Sequence, residues 1–253
     1  MKNIDLVKKY DDVYKKNAST FFTYKPITDY MVILEMMHDW SGIDVLEIGC
    51  GKGELSAMMS LAGAGKVDAV DFSSEAIEIA CKTFHIGNVN FILGDYRSIV
   101  GKYDAIVMNG VLEHFDRPFE ELKHLMDTNL NEDGVVITSS PSFINPRGYV
   151  WMTLQLLFEV PMSLTDLHFL CPFDFERFAE DNNMLLEFKS TNQDWGAGQR
   201  TISDFNKRLP NALKDAGMDT DGVDRLLGWL QKAVRYHQRC NYSGAVVTYK
   251  LQR

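Results

Sequence analysis

The pattern of hydrophobic and polar positions changes along the chain. Before residue 40, apolar residues such as Val7, Tyr10 and Val13 recur at helical spacing, and a second helical run extends from Ile27 to Trp40. Short runs rich in valine and isoleucine then alternate with helical segments: Asp44–Ile48, Val67–Val70, Val89–Leu93, Ala105–Met108 and Val135–Thr138. Apolar strands separated by helices are typical of a parallel sheet covered on both faces. The pattern therefore predicts a doubly wound α/β fold, with a ligand crevice at the carboxyl ends of the strands.

The regular alternation ends near residue 140. The connection 141–171 contains an aromatic-rich helix predicted over Gly148–Glu159, and further elements follow it: a helix at Phe173–Asp181, a strand at Leu185–Lys189, helical structure over 195–240 with an amphipathic stretch at Val223–Tyr236, and a last strand at Gly244–Leu251. We expect one domain over residues 1–253, with N-terminal helices (1–40), a core (41–140) and two insertions (141–171 and 190–243).

Composition and charge exclude several classes of protein. Of the 253 residues, 45% are hydrophobic, which rules out a disordered chain. The net charge of -9 and the lack of a basic run argue against a nucleic-acid partner. No apolar run approaches the ~20 residues of a membrane span, and the polar N-terminus has no signal-peptide core, so we expect no membrane partner and a cytoplasmic location. The four cysteines form no CxxC pair, which predicts neither a disulfide framework nor a zinc site.

The segment VLEIGCGKGELS, residues 45–56, predicts a ligand-binding turn. A buried strand runs into Gly49, Gly51 and Gly53, and then into a helix that begins near Glu54. Glycines let the backbone approach a ligand, and the first turn of a helix offers free N–H groups to it. The spacing is G-x-G-x-G, not the dinucleotide spacing G-x-G-x-x-G. A carboxylate at position 54 also suits a sulfonium-bearing ligand better than an anionic pyrophosphate.

Candidate cofactor contacts follow at the ends of the next two strands. Asp71 lies about twenty residues after the loop and can accept hydrogen bonds from two ribose hydroxyls. Asp68 is a weaker competitor because it lies inside the strand. Phe72 flanks an adenine ring or packs in the core. In the GDY segment, Asp95 can accept from an adenine amino group and the Tyr96 amide can donate to a ring nitrogen, unless the aspartate is simply a turn residue.

The fourth strand ends at Asn109 and Gly110, whose carbonyl groups can hold an ammonium group. Glu113 and His114 follow on a short turn that faces the crevice. His114 is the candidate general base for a hydroxyl or amine nucleophile, and its alternative role is structural or as a wall of the pocket.

Five segments together resemble the class I S-adenosylmethionine-dependent methyltransferases in order and spacing: VLEIGCGKG, VDAVDFS, ILGDY, YDAIVMNGVLEHF and EDGVVITSSP. The resemblance is strong over residues 43–140 and points to the branch that includes ubiquinone-biosynthesis and natural-product enzymes. It implies S-adenosylmethionine as cofactor and a Rossmann-like, seven-stranded sheet with an antiparallel last strand. It also implies cofactor contacts from Glu47, Gly49, Gly51, Asp71, Asp95 and Asn109, to which we add Cys50, Phe72 and Tyr96 from the same motifs.

The two insertions depart from the minimal family pattern. Both begin or end at the ligand edge of the family fold, so we expect a helical cap over the crevice and a small, enclosed substrate. Several aromatic residues are candidates for the wall of a substrate pocket, and the alternative is that they pack in the core: Phe21, Tyr24, Tyr149, Trp151, Trp195 and Tyr236. His168 is a further substrate candidate, paired with Asp166. A metal site with Cys171 is not predicted, because the spacing fits no standard site.

These features favour a small-molecule O- or N-methyltransferase. Three rivals stay open: a protein or RNA methyltransferase, a cofactor-binding module without catalysis, and a nicotinamide oxidoreductase. The acidic charge and the insertions argue against the first, the complete set of cofactor motifs against the second, and the glycine spacing against the third. The oligomeric state is left open.

Overall fold

A computed structural model describes residues 27–160 and 168–253. The strands are β1 (Asp44–Ile48), β2 (Lys66–Asp71), β3 (Val89–Leu93), β4 (Tyr103–Asn109), β5 (Leu130–Pro141), β6 (Leu185–Thr191) and β7 (Val246–Gln252). The α-helices are α1 (Ile27–Met37), α2 (Glu54–Leu61), α3 (Ser74–Thr83), α4 (Pro118–Asn129), α5 (Pro146–Phe158), α6 (Pro172–Asp181), α7 (Gln193–Ala197), α8 (Gln199–Asp215) and α9 (Val223–Ala233). No helix within these ranges is long and apolar enough to cross a membrane.

The seven strands form one sheet in the order β3-β2-β1-β4-β5-β7-β6. Neighbours from β3 to β5 pair in parallel, and β7 runs antiparallel between β5 and β6. The chain order reverses between β1 and β4, and this switch point places a crevice at their carboxyl ends. The predicted Rossmann-like sheet with an antiparallel last strand is confirmed.

Both faces of the sheet are buried, which explains why the central strands are apolar throughout. Leu46 and Ile106 belong to a core that includes Phe175 of α6. Their neighbours along the strands, Val45 and Val107, belong to a second core that includes residues of α1 and α2. Successive residues of a strand alternate between faces, so each core takes every second residue.

The two insertions pack together around a third core. It joins Phe143 and Trp151 of the first insertion to Phe205, Leu209 and Leu227 of the second. We call the described parts of both insertions, residues 142–160, 168–171 and 192–243, the insertion layer. An ion pair also joins its halves, because Arg147 Nε of α5 lies 2.9 Å from Asp204 Oδ2 of α8.

Some predicted boundaries are wrong for local reasons. The first helix ends at Met37 and not at Trp40, because His38 adopts a left-handed φ of 64°. The region 195–240 is broken at Gly198 and at residues 216–222, and its helical structure ends at Tyr236. The last strand begins at Val246, because Gly244 lies in a turn packed so closely on the Thr191 carbonyl that a side chain has no room.

Candidate functional site

The glycine-rich loop folds back onto the end of β2. The amides of Gly49 and Cys50 both donate to the Val70 carbonyl, at 2.8 and 3.1 Å. Gly49 has a φ of 72°, and a β-carbon there would lie 2.5 Å from Val111 Cγ2 beyond the end of β4. The loop can therefore pack against the end of β4 only because position 49 has no side chain. The loop and the ends of β1, β2 and β4 together form one side of the crevice.

Asp71 links the loop to the start of α3. One carboxylate oxygen accepts from the Gly51 amide and the other from the Ser73 amide, each at 2.8 Å. The group is thus held at the carboxyl end of β2, beside the glycines. The competing carboxylate, Asp68, accepts from the Tyr103 hydroxyl at 2.7 Å and from Lys66 Nζ at 2.6 Å. Those partners hold Asp68 in the interior of the sheet, away from its ligand edge.

At the end of β3, Gly94 donates to the Asp71 carbonyl at 3.0 Å, so the predicted adenine contacts adjoin the predicted ribose contact. Asp95 is exposed and accepts from the Arg97 amide at 3.0 Å. The Tyr96 ring stacks on Phe115 with centroids 5.2 Å apart, and its hydroxyl donates to Glu121 of α4 at 2.7 Å. The Tyr96 side chain is therefore committed to α4, which leaves its backbone amide as the group for a ligand.

At the end of β4, the Asn109 side chain accepts a hydrogen bond from Ser139 Oγ at 2.5 Å. Glu113 is buried and accepts from Ser140 Oγ at 3.0 Å. His114 is half-buried and ends the 3₁₀ turn Leu112–His114. Anchoring by the neighbouring strand β5 fixes this turn at the ligand edge.

The structure brings His168 to the same turn. Its amide donates to the Glu113 carbonyl at 3.2 Å, and its Nε2 lies 3.1 Å from the Asp116 carbonyl oxygen. A carbonyl oxygen can only accept, so Nε2 carries the proton and Nδ1 is the acceptor in the neutral ring. The two histidines, distant in sequence, thus lie at one strand end. The predicted partner Asp166 lies outside the described residues.

Sequence reasoning did not identify the contacts that hold α1 in place. Asp29, in its first turn, is buried and accepts from Thr191 Oγ1 and from Asn192 Nδ2, the latter at 3.0 Å. This places the start of α1 at the carboxyl end of β6. The next residue, Tyr30, is half-buried, and burial together with Glu54 and Glu47 raises the pKa of its hydroxyl. An acidic residue in a first helical turn was the one available signal, and it fits many helices.

The carboxyl group of Glu47 lies at the end of β1, next to the glycines. The residue is 2% exposed and accepts a hydrogen bond from Ser56 Oγ of α2. Burial raises the pKa of Glu47 to about 8. The neighbouring carboxylates of Asp71 and Glu54 raise this pKa further, whereas the hydrogen bond from Ser56 lowers it. The Cys50 thiol beside it is likewise kept neutral, because burial raises its pKa.

The predicted aromatic substrate residues that the structure describes lie in different surroundings. Trp151 is 1% exposed and packs in the third core against Phe205, at 5.6 Å between ring centroids. Tyr149 is exposed and lines an apolar groove of about 390 Å³ between α5, α8 and α9. The guanidinium carbon of Arg200 lies 5.7 Å from the centroid of the Trp195 ring. Tyr236 is 88% exposed. Phe21 and Tyr24 lie outside the described residues.

Residues 27–184 match a protein family described as "Methyltransferase domain". No curated protein matches the chain. Three solved structures share its fold. The methyltransferase in complex with the Trm112 methyltransferase activator of Haloferax volcanii has 12% identity and a TM-score of 0.62, with 96% of each chain covered. DhpI with SAM and HEP has 14% identity and a TM-score of 0.60, with 98% of this chain and 96% of that chain covered. The plantazolicin methyltransferase BpumL with SAH has 17% identity and a TM-score of 0.56, with 100% of this chain and 97% of that chain covered.

Proposed function

The chain belongs to this methyltransferase family, with S-adenosylmethionine as its cofactor, and on that premise we propose that it methylates an oxygen or nitrogen atom of a small molecule. The crevice fits the cofactor on its own chemistry. A turn of glycines lies beside the carboxyl groups of Glu47, Glu54 and Asp71, and these surroundings suit a sulfonium and an ammonium group. An anionic pyrophosphate would be repelled there.

In this proposal, the end of each parallel strand binds a different part of the cofactor. Asp71 accepts from the ribose hydroxyls, and the Asn109 carbonyl receives the ammonium group. Asp95 and the Tyr96 amide receive the adenine, against which the 40% exposed Phe72 supplies an apolar face. The positions of these residues support the assignment, because the hydrogen bond from Gly94 to the Asp71 carbonyl joins the ends of β2 and β3 into one surface.

The observation that carries the choice of a small acceptor is the insertion layer. Its second insertion follows β6 and precedes β7, which run in opposite directions, so it leaves and re-enters the sheet at the ligand edge. The first insertion leaves β5 at that same edge. A layer with its own core at this edge favours an enclosed acceptor over an extended polymer. The structural neighbours DhpI and the plantazolicin methyltransferase fit this acceptor class.

The bound cofactor supplies a methyl group on positively charged sulfur, so positioning of the acceptor provides much of the rate. His114 takes the proton from an acceptor hydroxyl as the new bond to carbon forms, or from an acceptor ammonium before the freed nitrogen lone pair attacks. His168 positions the acceptor, because the Asp116 carbonyl holds its Nε2–H and leaves Nδ1 to accept a hydrogen bond. Closure of the insertion layer excludes water from this reaction.

Transfer of a labelled methyl group tests the proposal. Small hydroxyl and amine compounds are offered in one set of assays, and proteins and RNA in another, and we expect product in the first set. With the acceptor that this assay identifies, His114→Gln should lower kcat by roughly 10²-fold or more, because a general base typically contributes at least that factor to the rate. His124→Gln, on the exposed face of α4, is the matched control and should retain full activity. Labelled protein or RNA alone, or tight SAH binding with no transfer at all, would overturn the proposal.

A further inference from the structure

The carboxyl group of Glu47 is buried. It accepts from Ser56 Oγ, and within residues 27–160 and 168–253 no lysine, arginine or histidine pairs with it. A buried ionised carboxylate without a cation is costly, so the group keeps its proton. This differs from Asp68, whose buried carboxylate has Lys66 at 2.6 Å.

The groups that face Glu47 from the surrounding elements make ionisation harder still. Asp71 approaches from β2, and Tyr30 of α1 interacts with Glu47 as well. Glu54 at the start of α2 is itself paired with Lys52 Nζ at 3.2 Å. Cys50 adds a neutral thiol. Lys52 is thus already paired with Glu54, and no cation of the described residues compensates the burial that raises the pKa of Glu47 to about 8.

We propose that Glu47 is a proton switch for the cofactor: it is protonated in the free protein and releases its proton when the ammonium end of the cofactor occupies the crevice. The inference rests on S-adenosylmethionine as the cofactor and needs no acceptor. The position of Glu47 supports the inference, because the residue lies two positions before Gly49, on the strand that leads into the glycine loop. An incoming ammonium group supplies the positive charge that the described residues do not provide for this carboxyl group.

The proton balance is simple. The carboxylic acid of Glu47 loses its proton to the solvent, the carboxylate remains, and no bond of the ligand changes. Binding that releases a proton becomes tighter as pH rises, so affinity should increase toward pH 8 and level off above it. The full effect of one proton is about tenfold in affinity per pH unit.

Calorimetry of the intact protein tests this directly. SAH is titrated near pH 7 in phosphate and in Tris, two buffers of different ionisation enthalpy, and the difference in heat gives the protons released. We expect about one proton per SAH, the change for a group that passes from acid to carboxylate. Methylthioadenosine, which has the adenosine and the thioether but no ammonium group, should release none.

Two variants locate the proton. Glu47→Gln keeps the shape and the Ser56 contact, and it should bind SAH with no proton release and a flat affinity between about pH 6 and pH 8. Glu78→Gln, which removes an exposed carboxylate that is ion-paired with Lys82 on α3, is the matched control and should release the proton as the wild type does. SAH binding to the wild type without proton release overturns the proposal, and so does equal release by methylthioadenosine. The wild-type titrations decide the matter even if a variant fails to fold.

Discussion

Glu47 also makes the stability of the free protein depend on pH. Its pKa in the folded state is about 8, against 4.5 for an ordinary glutamate. Between these values the unfolded chain has lost a proton that the folded chain retains, so the contribution of Glu47 to stability is greatest at low pH and falls as pH rises to about 8. Glu47→Gln should remove up to about 1.4 kcal/mol per pH unit of this slope. Urea unfolding near pH 5 and near pH 8 measures it, and an unchanged slope in the variant would show that Glu47 ionises freely in the fold.

The residues at the strand ends could be predicted one by one, because the fold fixes their position. A parallel sheet brings the carboxyl ends of its strands together, so Asp71, Asp95 and Asn109 fell at one edge as soon as the strands were assigned. The direction of a side chain is harder to predict. Tyr96 points to Glu121 and Trp151 into the third core, because tertiary partners far away in sequence select the rotamer.

At the scale of elements, the turn between β1 and α2 depends on the absence of a side chain at Gly49. Gly49→Ala should cost about 1 kcal/mol for the left-handed backbone. A further cost of about 1–3 kcal/mol should follow from contact with Val111 Cγ2. Gly42→Ala is the matched control, since its φ of 74° is similar but nothing lies within 4 Å of the added carbon. Denaturant midpoints compare the two, and equal losses of stability would mean that the loop gives way around the new methyl group.

Elements with a strong period were predictable and their ends were not. The first five strands of the chain alternate between two cores, so their positions follow from the apolar runs alone. The break of the region 195–240 at Gly217, which has a φ of 69°, follows from a turn that glycine permits but does not require. The hydrogen bonds of Asp29 to Thr191 and Asn192 join α1 to β6 across most of the chain, and no local pattern reports such a contact.

At the scale of the whole molecule, we expect the insertion layer to move as a unit against a rigid sheet. Its helices share one core, and α5 leaves Leu156, Leu157 and Phe158 exposed at its end. Regions with few buried contacts open first. Hydrogen exchange should therefore be faster in residues 142–160 and 192–243 than in Val45–Ile48 of the free protein. SAH with the acceptor should slow it in both segments together. Exchange as slow as that of β1 without ligand would instead show a fixed layer.

The shared core of the insertion layer constrains how such an enzyme acquires a new specificity by recombination. Phe143 and Trp151 come from one insertion, whereas Phe205, Leu209 and Leu227 come from the other. A chimaera that receives a single foreign insertion inherits half of a core and must repack against a surface shaped for another sequence. Both insertions start from the same edge of the sheet, so they can be exchanged as a pair while the glycine loop is left intact. The natural unit of transfer between relatives is then two segments that are separated in the gene by the codons for α6 and β6.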